Sequence, residues 1–148
     1  MMTPRTILVP VDFSECSGLA LDYAVALAAK LDAKVHLLNV ISIPFVAVPE
    51  VGSTISPTVL ENVIHDNQKA LDNLADARRT KVALGDTLLR TGDARDEILH
   101  AAESIGADLI VMGTHGRRGV TRALLGSVAE QIVRTAPCPV LTVRARKH

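Results

Sequence analysis

Short apolar runs alternate with amphipathic stretches along the whole chain. Thr6 to Val11 (TILVPV) is apolar and β-branched, the pattern of a strand buried on both faces of a parallel sheet. Ser14 and Ser17 then offer helix-capping hydroxyls. Cys16, Leu19, Tyr23, Ala26 and Leu27 follow at helical spacing and predict one apolar stripe. Val35 to Ile41 (VHLLNVI) reads as the second strand. Ser42 to Pro57, with three prolines and one glycine, is the longest irregular stretch. Loops of that length are often functional. Ser56 before Pro57 marks a helix start, with Leu60, Val63, Ile64, Leu71 and Leu74 as its inward stripe.

Lys81 to Arg90 reads as a third strand. Its polarity and its interruption by Gly85 predict a sheet edge. Asp93 caps a third helix with Ile98, Ala101, Ala102 and Ile105 inward, and Gly106 ends it. Asp108 to Gly113 (DLIVMG) is another buried strand, followed by a loop from Thr114 to Leu125. Ser127 and Glu130 have the spacing of a capping box and predict the start of a fourth helix. Ala129, Ile132, Val133 and Ala136 face inward there, Pro137 and Pro139 stop it, and Val140 to Val143 is the last strand. The order βαβαβαβαβ predicts an α/β fold, a parallel sheet with helices on both faces. No repeat or linker divides the chain, so residues 1–148 read as one domain.

Composition narrows the function. Aromatic residues are 2% of the chain and the net charge is zero. Neither stacking platforms nor a basic field is available, which disfavours nucleic acid as a partner. No apolar run is long enough to cross a membrane and the first residues lack a signal-peptide core. Cys16 and Cys138 fit no metal-ligand spacing and read as small buried fillers. A reducing cytoplasm is the expected setting.

The candidate chemistry lies where strands end. Ligands of open parallel sheets sit beyond the carboxyl ends, where strand order reverses. The first strand ends in Pro10-Val11-Asp12. The fourth ends in Gly113-Thr114-His115-Gly116-Arg117-Arg118-Gly119, and helix resumes at Gly126-Ser127. Gly113 and Gly116 allow close backbone approach or positive φ. Such a turn, beside the unpaired N–H groups of a helix start, makes an anion site. Gly113 and Gly116 taken as a pair also suit ordinary turns. Ser127 can cap its own helix or donate to a phosphate, and Asp12 can cap a helix or meet a ribose. His115 reads as exposed and inert. There is neither a Walker loop nor a Gly-x-Gly-x-x-Gly fingerprint.

Gly113-x-x-Gly116, nine residues, then Gly126-Ser127 resembles the nucleotide-binding signature of the universal stress protein family. Ile7 to Asp12, Asp108 to Gly116 and Cys138 to Leu141 resemble that family too. The resemblance implies a Rossmann-like (adenine nucleotide α-hydrolase-like) domain with strand order 3-2-1-4-5, of the branch that binds ATP, with magnesium held, if at all, through phosphates and water. By the same resemblance, Pro10, Val11 and Asp12 line the adenine and ribose side and Val40 packs on the base. Met112 and Gly113 border the ribose. Gly116, Arg117, Gly126, Ser127 and Val128 meet phosphates, largely through backbone N–H groups. The implied role is a nucleotide-dependent regulator of stress protection with little or no catalysis. A slow ATP hydrolase or phosphoryl or nucleotidyl transferase is the alternative. An apolar last strand at a sheet edge, Val140 to Val143, predicts a homodimer across a two-fold axis, as the resemblance also implies.

Overall fold

The structure, a computed structural model, describes residues 3–42, 56–115 and 125–146. Among these residues nine elements follow in order: β1 (Thr6–Pro10), α1 (Glu15–Leu31), β2 (Lys34–Ile41), α2 (Pro57–Asp76), β3 (Ala83–Thr91), α3 (Ala94–Ile105), β4 (Leu109–Gly113), α4 (Ser127–Thr135) and β5 (Val140–Val143). The strands form one parallel sheet in the order β3-β2-β1-β4-β5. Alternation along each strand divides the core. Ile7, Val9, Val35, Leu37 and Val111 face α1 and Leu71 of α2. Leu8, Leu38, Ile110 and Met112 face α3 and α4. The sheet is therefore covered on both faces, and the expected fold and strand order are present.

The helix faces needed correction. Helix α1 buries Cys16, Ser17, Ala20, Leu21, Ala24, Val25 and Ala28. Of the expected stripe only Cys16 is buried; Leu27 packs at the margin, while Leu19 and Tyr23 are 40% and 54% exposed. The buried stripe combines Leu21 and Val25 with small alanines that let α1 lie close on the sheet. In α2 only Leu71 and Ala75 are buried, and Val63 and Ile64 near its start are exposed. At 20 residues an α-helix is about 30 Å long, and only its second half lies over the sheet. Val133 of α4 is also exposed, against expectation.

β3 is an edge strand as expected, though it begins at Ala83 and not at Lys81. Its Gly85 has a steric cause. A Cβ there would lie 2.2 Å from the His36 ring. The β2–β3 register shifts at this point, and the Asp86 N–H donates to His36 Nδ1 at 3.0 Å.

Candidate functional site

β1 and β4 are the neighbours at which strand order reverses, and the carboxyl ends of such a pair are where a ligand crevice of an open parallel sheet lies. One lip is the turn from Pro10 into α1. Asp12 Oδ1 accepts the Ser14 N–H at 3.0 Å and also the Ser14 hydroxyl. Ser14, as N-cap, accepts the Ser17 N–H at 3.2 Å. Ser17 Oγ accepts the Asp12 N–H at 3.3 Å and donates to the Ser14 carbonyl at 3.1 Å. This closed ring of bonds holds Phe13 in the left-handed region, φ 64°, a conformation costing about 1 kcal/mol or more for a side chain of this size. Asp12 thus organises the turn, and Ser14, not Ser17, caps the helix.

The other lip joins β4 to α4. Gly113 was expected to serve ligand approach or positive φ, and Gly126 to open the last helix with Ser127. Neither φ is positive, and Gly126 sits at φ −61°. The protein itself fills the space. A Cβ on Gly113 would lie 2.9 Å from Cys16 Sγ and 3.0 Å from the Cys16 carbonyl carbon. A Cβ on Gly126 would lie 2.8 Å from the Thr114 carbonyl oxygen, which accepts the Gly126 N–H at 2.6 Å. The Thr114 N–H bonds the Val143 carbonyl at 2.9 Å, and the Cys16 thiol donates to that carbonyl at 3.3 Å. These contacts clasp the start of α4 against the end of β4. Cys16 is the buried filler expected.

The capping box does not form. Ser127 is the first residue of α4, Gly126 is its N-cap, and among the described residues no side chain caps the helix. Glu130 pairs instead with Arg134 at 2.8 Å. The Ser127 side chain is exposed. By helix geometry the N–H groups of the first turn lack intrahelical partners and carry the positive end of the dipole. Beside them His115 is half-buried, not exposed. Its Nδ1 lies 3.0 Å from the Thr114 hydroxyl, and its buried Nε2 has no partner among the described residues.

Val40, Met112 and Val128 share the face of the sheet covered by α3 and α4. Met112 is 6% exposed and its side chain is core, so only its main chain can border a ligand. Val11 is buried on the opposite face. The structure therefore brings Pro10, Val11 and Asp12 to one lip, and Met112, Gly113, Gly126, Ser127 and Val128 to the other. Val40 is next to last in β2. Gly116 and Arg117 lie outside the described residues. Sequence reasoning missed Asn39, Thr114 and the Phe13 turn. A lone Asn inside the apolar run VHLLNVI was the available signal for the first, since a buried amide must find partners.

Among the described residues no group of histidines, cysteines and carboxylates could hold a metal ion, and no helix is long and apolar enough to cross a membrane. A family model described as the Universal stress protein family matches residues 3–144. The chain is 37% identical over 144 residues to universal stress protein MJ0531 of Methanocaldococcus jannaschii, covering 97% of this chain and 84% of that one. Hypothetical protein MJ0577 superposes with a TM-score of 0.83 at 28% identity, covering 99% and 100% of the two chains. An Arabidopsis thaliana universal stress protein family protein, At3g01520, whose structure has AMP bound, has the same fold at a TM-score of 0.65 and 22% identity, over 97% and 93%.

Proposed function

The chain belongs to the universal stress protein family, and from that premise we propose that it is an ATP-binding regulator of stress protection with little or no catalysis. The observation that carries the proposal is the clasp from Gly126 to Thr114, which fixes the open N-terminus of α4 at the carboxyl end of β4. An anion in the crevice is met by the dipole end and the open main-chain N–H groups of Ser127 and Val128, with the Ser127 hydroxyl beside them; Gly126, whose own N–H is held by Thr114, contributes close backbone approach. Val40 and the lip of Pro10, Val11 and Asp12 take the base and ribose. Gly116 and Arg117 complete the phosphate contacts, and any magnesium is held through phosphates and water. That this fold can seat an adenine nucleotide is illustrated by the AMP-bound Arabidopsis protein.

The functional unit is a cytoplasmic homodimer paired through β5. The unpaired state of Cys16 and Cys138 suits a reducing compartment. Among the described residues β5 pairs with β4 alone and ends the sheet, leaving its outer row of backbone groups for a twin. Native mass spectrometry of freshly purified protein, followed by denaturation and analysis of the released small molecules, tests both statements. A species of twice 15.8 kDa that releases an adenine nucleotide is expected. A nucleotide-free protein that takes up none from millimolar ATP contradicts the binding, and a monomer contradicts the pairing.

A further inference from the structure

We propose that Asn39 and Asn67 form a positioning relay for the base-side lip of the crevice, in which Asn67 of α2 orients the Asn39 amide and Asn39 holds the Val11 carbonyl. The proposal rests on the reading of the crevice as a nucleotide site. Asn39 is 2% exposed in the middle of an otherwise apolar strand end. Its Nδ2 donates to the Val11 carbonyl at 2.8 Å, and its Oδ1 accepts from Asn67 Nδ2 at 3.0 Å. Both ends of the buried amide are thereby satisfied, by groups on β1's extension and on α2.

The relay sits where the β1–β2 ladder stops. The Val11 N–H donates to the Leu38 carbonyl at 2.8 Å. In an evenly spaced parallel ladder the next bond would run from the Val40 N–H to the Val11 carbonyl. The Asn39 amide occupies that carbonyl, and the paired register ends at Pro10 and Leu38. Val40 keeps its register with Arg90 on β3, so its main chain lies outside the β1–β2 pairing at the mouth of the crevice. Asn39 thus decides where the two strands part.

The direction of the amide matters. A donor at position 67 binds Oδ1 and leaves Nδ2 for Val11. An acceptor there would draw Nδ2 toward α2 and set Oδ1 against the Val11 carbonyl, oxygen against oxygen. Packing alone would not respond to that reversal, because Asn and Asp have the same shape.

Calorimetric titration of Asn67→Asp, Asn67→Gln and unaltered protein, each stripped of bound nucleotide, separates the cases. The ligands are ATP and inorganic tripolyphosphate, which has phosphates and no base. For Asn67→Asp, ATP affinity should fall about tenfold, the cost of one unsatisfied buried acceptor, while tripolyphosphate affinity stays unchanged. Asn67→Gln, which keeps the amide donor, should restore most of the ATP affinity. Should Asn67→Asp not fold, Asn67→Leu, uncharged and without a donor, takes its place with the same expectation. Unchanged ATP affinity, or equal loss for both ligands, overturns the relay alone. Unaltered protein that binds neither ligand overturns the crevice reading, and the relay falls with it.

Discussion

A methyl group added at Gly126 would lie 2.8 Å from the Thr114 carbonyl oxygen, whereas one added at Gly18 meets nothing within 4 Å. The two glycines therefore answer differently to the same change. Gly126→Ala forces a backbone shift at the clasp and should cost about 1–3 kcal/mol. Gly18→Ala, inside α1, removes glycine's entropic penalty and should add about 0.5–1 kcal/mol. Urea unfolding of both variants checks the signs; equal effects would remove the steric reason for Gly126. That Gly113 and Gly126 matter was legible from their spacing, but their reason was not. Sequence showed missing side chains and could not show that Cys16 and Thr114 fill the vacated space. Ser127 was misplaced by one helical position for a related cause, because Gly126 caps with its backbone and leaves no side-chain signature.

Between elements, the β2–β3 bulge is the feature with a pH consequence. His36 Nδ1 accepts the Asp86 N–H, so the neutral ring fits the site. Burial is the main cause that lowers its pKa below the usual 6.5; Lys34 adds to that, and the Asp86 carboxylate, 4.0 Å away, opposes it. A histidine with a depressed folded-state pKa binds more protons when unfolded. Its contribution to stability is present above 6.5 and is lost as pH falls through the lower folded value. Unfolding free energy should therefore decline from 6.5 downward, before the carboxylates titrate. His36→Gln should flatten that decline, and an unchanged pH profile would show that His36 contributes nothing to it. Gly85 was read correctly as an edge-strand irregularity, but its partner lies on another strand and was invisible to a local pattern. The α1 stripe failed for a different reason. Leu19 and Tyr23 carry far more apolar surface than an alanine, while Ala20, Ala24 and Ala28 are fully buried against the sheet together with Leu21.

At the scale of the whole molecule, the alternation of strands and helices was enough for a parallel α/β fold, because buried strands and amphipathic helices have different periods. Strand order was not in that pattern; it came with the family resemblance. The crevice was legible as a place, since the carboxyl ends of β1 and β4 follow from topology. Its hydrogen-bond wiring was not, because Asn39, Asn67 and Val11 meet only in the folded chain.

The central claim is that main-chain donors at the start of α4 hold the phosphates of a nucleotide. Backbone amide NMR during titration with ATP tests it most directly. The Ser127 and Val128 N–H resonances should move together and saturate, with Gly126, Gly113 and Val40 following. Saturable binding that leaves the Ser127 and Val128 amides unmoved, or no movement anywhere at millimolar ATP, would contradict it.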